Sequence, residues 1–244
     1  MSLLRPLLVL LLPAVLSAAT RIESYTVQLH ASPEGAGQGL VTLSLADCAP
    51  GLLVVPLGFS APEGLRIEAA PAGVRLEPGP RNGMTSLHFH FPEGMPASAT
   101  LRFSFTVNQA FQVVQPAPGE KSTLPKGSRI FRHAFVNTQE TPIGTYRMEF
   151  LFPEGFMAQA IREQLPRLKK QEAGPRVLLS KTADHQAATL QFTDLHQGDD
   201  TSMALELVPT RRSLGWLLAG LLLGGAYLFK FRDLVAKGPQ APTA

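Results

Sequence analysis

Two histidines separated by a single residue, His88 and His90, are the first side chains whose type and spacing could do chemistry. Their segment alternates apolar and polar residues, and in a strand residues i and i+2 point to the same face, so both imidazoles should face solvent together. Such a pair can bind a divalent transition metal, but a stable site needs a third ligand. Only the fold could bring His30 or His133 near. The pattern therefore favours a solvent-facing pair, with His88 and His90 as the metal-ligand candidates and no resident metal or cofactor expected.

A second group of candidate ligands is acidic: Asp199 and Asp200, with Asp194 and Glu206 nearby. Calcium prefers carboxylate oxygens, but the spacing here matches no calcium-binding loop that we can name. With Gly198 beside them, the two adjacent aspartates are typical of a turn. We therefore interpret Asp199–Asp200 as a hairpin turn.

No short catalytic motif occurs in the sequence. It contains no GxSxG nucleophile elbow, no HExxH zinc motif, no SxxK motif and no Gly-rich phosphate-binding loop. Because catalytic groups are assembled by geometry from distant parts of a chain, this absence is weak evidence. The sequence nominates no catalytic residue. We expect a protein that is not an enzyme, and an enzyme of unrecognised type is one alternative.

One basic cluster stands out in the body of the chain. It consists of Arg162, Arg167, Lys169 and Lys170. Apolar residues recur nearby at roughly helical spacing, which predicts a helix over residues 156–164 that ends or kinks at Pro166. A solvated face is the simpler interpretation of the cluster, and contact with a partner or an anionic lipid headgroup is the alternative.

These side chains must be positioned by β-structure, because apolar and polar residues alternate along many short segments. The segments are Tyr25–Leu29, Val41–Leu45, Leu87–Phe91, Leu101–Val107, Tyr146–Phe152, Val177–Leu179, Leu190–Phe192 and Met203–Leu207. Turn residues separate them, including a Pro-Glu-Gly tripeptide that starts at Pro33, Pro62, Pro92 and Pro153. Short strands with such turns predict a mainly β fold, with one or two antiparallel, Ig-like β-sandwich domains.

A stretch rich in proline and glycine, residues 114–128, is the best candidate for a linker. It predicts a first β-sandwich domain over residues 20–113 and a second β domain over residues 129–208. Each part has the size of one small sandwich. The alternative is one larger sandwich in which residues 114–128 form a long connecting loop.

The N-terminus has the composition of a secretory signal peptide. Arg5 precedes an apolar run from Leu7 to Leu12, and the small residues Ser17 and Ala19 follow. A charged start, an apolar centre and a small-x-small cleavage site are the features that define such a peptide. We predict that residues 1–19 direct export and are cleaved after Ala19. An uncleaved N-terminal anchor is the alternative.

A second apolar segment lies near the C-terminus, where residues 213–229 carry no charge. As a helix this segment would rise roughly 25 Å, and flanking basic side chains can reach the membrane interface. It therefore predicts a single transmembrane helix over residues 213–231 and a short cytoplasmic tail over residues 232–244. Gly220 and Gly224 form a GxxxG pattern that favours helix packing and a homodimer through the span. A buried globular helix is the alternative for the segment.

The net charge of +3 and the pI of about 9.2 are distributed unevenly along the chain. Residues 20–210 contain 16 basic and 18 acidic residues, so the positive excess belongs to the two ends. Because nucleic-acid binding needs clustered positive charge on a folded surface, we expect no nucleic-acid partner. The single cysteine, Cys48, cannot form an intramolecular disulfide, and burial is favoured over an intermolecular bond.

Together these features predict a single-pass membrane protein whose bulk lies outside the cytoplasm, on the periplasmic or extracellular side. The expected function is a protein-interaction or assembly module of the cell envelope, with an envelope protein of unknown identity as its partner. An exposed strand edge is the expected contact, since it offers unpaired backbone groups. The alternative is an envelope polymer- or carbohydrate-binding module, although the exported body contains no tryptophan to serve as an aromatic platform.

Overall fold

The computed structural model describes residues 20–81, 84–114, 124–164, 176–181, 186–210, 220–227 and 229–231. These residues are mainly β-structure, as predicted, and the described strands all belong to one compact unit that ends at Pro209. The strands are β1 (Arg21–Ala31), β2 (Gly37–Ala46), β3 (Gly51–Pro56), β4 (Glu63–Ala69), β5 (Arg75–Arg81), β6 (Met84–Phe91), β7 (Ser98–Val107), β8 (Gln112–Val113), β9 (Arg129–Val136), β10 (Ile143–Leu151), β11 (Phe156–Gln164), β12 (Arg176–Lys181), β13 (Gln186–Leu195) and β14 (Asp200–Pro209).

The strands form three sheets. A seven-stranded sheet has the order β12-β13-β10-β1-β2-β7-β4, a four-stranded sheet the order β11-β14-β9-β8, and a three-stranded sheet the order β3-β6-β5. Among the described strand pairs, β1 and β10 are parallel, from Ser24–Thr145 to His30–Leu151, and the others are antiparallel. The prediction of purely antiparallel sheets is therefore wrong at the centre of the largest sheet, because β10 arrives there from a distant part of the chain.

The parallel pair also bears on domain organisation. β1 precedes the predicted linker 114–128 and β10 follows it, yet the two strands share seven paired positions in one sheet. Separate domains would need separate sheets, so this pairing contradicts the predicted division into residues 20–113 and 129–208. It agrees with the alternative of one larger sandwich. Residues 115–123 of the predicted linker lie outside the described residues.

The core lies on one face of the seven-stranded sheet, which packs against both smaller sheets. Phe150 stacks on Phe131 of the four-stranded sheet with 3.8 Å between ring centroids, and Phe103 meets Phe89 of the three-stranded sheet at 5.6 Å. All four rings are buried, and burial of such a side chain contributes about 1.5–3 kcal/mol. The seven-stranded sheet thus packs against both smaller sheets through one apolar face.

Residues 156–164 form strand β11 rather than the predicted helix. The strand pairs with β14, but its register shifts between Ala158 and Ala160 and again between Ile161 and Glu163. Each shift interrupts the strict alternation of apolar residues. The resulting spacing of apolar residues resembles a helical pattern. The backbone hydrogen-bonding groups of residues 156–164 nevertheless pair with β14, so the segment is a strand. The predicted kink lies outside the described residues.

The second compact unit comprises residues 210–244, of which 220–227 and 229–231 are described as helical, with exposed leucines. Among the described residues, no helix combines the length and apolar character needed to cross a lipid bilayer. Several predicted features lie wholly or partly outside the described residues: the signal peptide 1–19, residues 213–219 and 228 of the predicted span, and the tail 232–244.

Candidate functional site

His88 and His90 lie on β6, the middle strand of the three-stranded sheet, and the apolar residues that alternate with them are buried. β5 brings a carboxylate to the same face, where Glu77 lies opposite His88 and its Oε2 is 3.6 Å from His90 Nε2. The His88 ring points the other way along the strand: its Nε2 is 3.0 Å from Ser86 Oγ, and a Cβ atom on Gly79 would lie 2.6 Å from that nitrogen. Within the described part of the chain, no three His, Cys, Asp or Glu side chains are placed to hold a metal ion.

The acidic residues near position 199 serve separate local roles. The Asp199 carboxylate accepts a hydrogen bond from the backbone N–H of His196 at 2.8 Å, in the turn that leads from β13 to β14. Gly198 adopts the φ of 81° that suits a glycine there. The turn is therefore as predicted, but the hairpin is wrong, because β13 and β14 lie in different sheets. Asp194 is the penultimate residue of β13, and Glu206 is buried on β14.

The predicted basic patch is only partly described. Arg162 lies on β11, and its side chain is not among those that the structure describes, while Arg167, Lys169 and Lys170 lie outside the described residues. In the chain the patch falls between β11 and β12, which are outer strands of the four-stranded and seven-stranded sheets. Arg162 thus belongs to an outer strand, and the other three residues fall in the sequence between the outer strands of two sheets.

Cys48 is partly buried against the core and forms no disulfide. Burial, followed by the neighbouring Asp47 carboxylate, raises the pKa of its thiol. A thiol with a raised pKa stays protonated at neutral pH and is a poor nucleophile. The residue is thus a packing side chain rather than a reactive one.

Sequence reasoning missed a buried polar cluster centred on His133 of β9. The His133 side chain is buried, and its Nε2 lies 2.6 Å from the hydroxyl oxygen of Tyr146 on β10. The Tyr146 ring meets Tyr25 of β1 edge-on, with 5.5 Å between centroids. The Tyr25 hydroxyl donates a hydrogen bond of 2.8 Å to the carbonyl oxygen of Pro56 on β3. The cluster therefore connects all three sheets, and we call it the junction.

Burial keeps the side chains of the junction neutral. It lowers the pKa of His133 to about 4, and it raises the pKa of Tyr25 and of Tyr146 above the usual range. Among the described residues, His133 Nδ1 has no hydrogen-bond partner. A signal was present in the sequence, because alternation along β9 places His133 on the same face as Phe131 and Phe135, which are both buried.

A cleft of about 510 Å³ opens beside His133, where the loop after β3 approaches β9 and β14. In this loop the Phe59 ring lies 5.0 Å from the imidazole. Gly58 has a φ of 79°, and a Cβ atom there would lie 2.6 Å from His133 Cε1. The described lining contains no carboxylate and no second histidine, so it provides no acid–base pair for catalysis. The loop after β3 packs closely against His133, so the contact joins the three-stranded sheet's loop to the four-stranded sheet.

The outer face of the seven-stranded sheet carries a groove of about 520 Å³. Its described lining includes Gln28, Gln38, Ser104 and Thr106 and contains no Asp, Glu, Lys or Arg. Some of these groups are already engaged within the sheet: the Gln28 amide donates a hydrogen bond of 3.0 Å to Glu149. The amides and hydroxyls of this lining could hydrogen-bond a polyhydroxylated ligand. The lining also includes the imidazole of His30, whereas its phenyl ring, that of Phe105, belongs to the buried core.

The two outer strands of the seven-stranded sheet differ sharply. β4 pairs irregularly with β7, with two register shifts along its length. Its acidic side chains are held by neighbours: Ser104 donates a hydrogen bond of 2.5 Å to Glu68, and Asn108 donates one of 2.7 Å to Glu63. Bulges and charges of this kind hinder the addition of a further strand.

β12, the opposite outer strand, is regular. Its six residues pair in order with β13, from Arg176–Gln191 to Lys181–Gln186. Leu178 and Leu179 are 59% and 55% exposed, and they lie on opposite faces because successive residues of a strand alternate. Within the described residues, β12 has a neighbouring strand on one side only. The other side presents a backbone edge flanked by two apolar side chains.

No protein-family model matches the chain, and no curated protein sequence matches it. Among solved structures, leukotriene A4 hydrolase from Saccharomyces cerevisiae is similar with a TM-score of 0.44 and 11% identity, over 76% of this chain and 29% of that one. A putative protease from Parabacteroides distasonis gives a TM-score of 0.44 and 8% identity, over 76% and 40%. An M1 zinc metallopeptidase from Deinococcus radiodurans gives 0.34 and 12%, over 78% and 42%.

The chain spans less than half the length of each of these structures. At such low TM-scores and identities the likeness carries no conclusion about activity.

Proposed function

We propose that this protein is a membrane-anchored, extracytoplasmic interaction module of the cell envelope, and that it binds an extended segment of another envelope protein along β12. The single observation that carries the proposal is the regular edge of β12, with Leu178 and Leu179 more than half exposed. Long, regular and apolar strand edges are uncommon in soluble domains because they template pairing with other chains. The exposed edge of β12 therefore supports the proposal that another protein segment pairs with it.

Strand addition explains how such an edge gives both affinity and selectivity. An added strand pairs with the outward backbone groups of β12, and its side chains contact the leucine on each face. Burying the exposed part of a leucine contributes roughly 1 kcal/mol or more. The six residues of β12 are enough for a short paired segment.

The proposed location rests on the two ends of the chain. An apolar N-terminal segment followed by small residues supports export, and the uncharged residues 213–229 support a single anchoring span. On the described helix, Gly220 and Gly224 are both open, with no heavy atom within 4 Å of a Cβ placed there. This leaves room for close packing of a second helix and supports a homodimer through the span.

Cross-linking in intact cells, followed by affinity capture from solubilised membranes, tests the proposal. The double variant Leu178→Lys/Leu179→Lys should lose a reproducible cross-linked partner, because two charges block strand addition. The matched control is Leu52→Lys, since Leu52 is also an exposed leucine on an outer strand, β3 of the three-stranded sheet. The control should keep the partner. If the β12 double variant captures the same partner at the wild-type level, docking at β12 is wrong.

A further inference from the structure

β12 is bounded by positive charge. Its sequence begins with Arg176 and ends with Lys181, with the two exposed leucines between them. Both cross-strand partners of these basic residues on β13 are glutamines, Gln191 and Gln186. In the register of β12 and β13, neither basic residue therefore lies opposite a carboxylate of β13, and the two basic residues are five positions apart along the edge.

The chain around β12 reinforces this charge. Residues 162–181 contain six basic and two acidic residues, whereas residues 20–210 as a whole carry more acidic than basic ones. Charge of one sign near a binding edge steers oppositely charged partners towards it and repels others of the same sign. In the sequence, the basic cluster lies six to fourteen residues before the start of β12.

A second copy of this chain fits the edge poorly. In the antiparallel register that places Leu178 opposite Leu179 of another copy, Arg176 would lie opposite Lys181. In the parallel in-register arrangement, each basic residue would lie opposite itself. Like charges directly opposite one another destabilise a strand pair. The edge therefore combines apolar attraction with a charge pattern that disfavours self-pairing.

Resting on the function proposed above, we propose that the occupant of β12 is an extended protein segment with consecutive apolar residues flanked by acidic residues five positions apart. The apolar residues must be consecutive because Leu178 and Leu179 lie on opposite faces of the sheet. The acidic residues lie opposite Arg176 and Lys181. An alternating amphipathic strand would leave one leucine in water, so it is the poorer fit.

Two short peptides, capped at both ends, test this partner chemistry on the full chain in detergent. The first is Glu-Thr-Ile-Val-Thr-Glu and the second Lys-Thr-Ile-Val-Thr-Lys, and fluorescence anisotropy measures the Kd of each at low salt. We expect the acidic peptide to bind about tenfold more tightly, because two opposite-charge pairs replace two like-charge pairs. Added salt should reduce this ratio.

Charge reversal on the protein supplies the matched control. Arg176→Glu/Lys181→Glu should invert the preference between the two peptides, whereas Arg66→Glu/Arg102→Glu, the same change at the opposite side of the seven-stranded sheet, should leave it intact. Circular dichroism of each variant verifies folding.

The outcomes separate this inference from the function on which it rests. If both peptides bind with equal affinity and binding is lost in Leu178→Lys/Leu179→Lys, then docking at β12 is supported. The same result would overturn the inference that the partner segment is acidic. No binding of either peptide up to millimolar concentration would overturn docking at β12 itself. If sedimentation shows that the protein is a dimer and that the same leucine substitutions dissociate it, then a second copy of the chain occupies β12. That result would also overturn the inference.

Discussion

The junction around His133 and the edge strand β12 use large apolar side chains in opposite ways. At the junction, Phe135 stacks on Tyr146 with 4.1 Å between ring centroids, and both rings are buried. On β12, Leu178 and Leu179 remain more than half exposed. Since apolar groups stabilise a fold only to the extent that folding buries them, the junction should govern stability and β12 should govern binding.

The junction also differs from β12 in how its polar groups are satisfied. Tyr25 donates to a backbone carbonyl, and Tyr146 is within hydrogen-bond distance of His133 Nε2, so both tyrosine hydroxyls of the junction are paired inside the core. Along β12 one backbone edge has no partner among the described strands. Buried polar groups make a fold specific when they are paired, and unpaired groups at an edge make it receptive to another chain.

The largest expected effect comes from removing an aromatic ring at the junction. Phe135→Ala should lower the free energy of unfolding by about 3–5 kcal/mol, because a fully buried ring leaves a cavity beneath Tyr25 and Tyr146. Chemical denaturation monitored by circular dichroism measures this. The control Leu179→Ala should cost less than about 1 kcal/mol, since that leucine is exposed. Equal losses in the two variants would remove the distinction between junction and edge.

The next effect is a dependence of stability on pH. His133 has a pKa of about 4 in the folded protein and 6.5 without its environment, so the unfolded chain binds the proton more readily. Its contribution to stability is complete above about pH 6.5 and is lost as the pH falls towards 4, by about 3 kcal/mol in total.

Unfolding curves between pH 7 and pH 4 measure this effect. His133→Phe should flatten the slope relative to wild type, because it removes the titrating group. The control His196→Gln replaces an exposed histidine and should leave the slope unchanged. Parallel slopes in wild type and His133→Phe would show that protonation of the junction does not control acid stability.

The smallest of these effects concerns one hydroxyl group. Tyr146→Phe keeps the stacked ring but removes the partner of His133 Nε2, so it should cost about 1–2 kcal/mol of unfolding free energy. Tyr227→Phe makes the same chemical change on an exposed helical residue and should have no measurable effect. A cost for Tyr146→Phe as small as that of the control would mean that ring packing alone maintains the junction.

Alternation of side chains predicted most strands and their buried faces. Tyr25, Leu29, Phe103 and Phe105 are buried as their spacing indicates. The pattern failed where the register is irregular, as in β11, because bulges change the phase of the apolar residues. It also left His133 unassigned, although its neighbours on β9 mark the buried face.

The alternation of apolar and polar residues within a segment does not predict which strand it pairs with. Residues Tyr146–Phe150 read as an alternating strand, but nothing in them indicates that they pair in parallel with β1, more than a hundred residues earlier in the chain. The segment Val177–Leu179 likewise reads as a strand, and only the order of the sheet shows that β12 lies at its edge.

The chain's short-range alternation is enough to make it a β protein with aromatic faces turned inward, because each residue's side is set by its neighbours two positions away. Tertiary structure decided which of those strands became the centre of a sheet and which became its edge, since strand order depends on the packing of residues far apart in sequence. A leucine on a central strand is part of the core. On β12 the same side chain lies at the surface, in a strand whose sequence begins and ends with a basic residue.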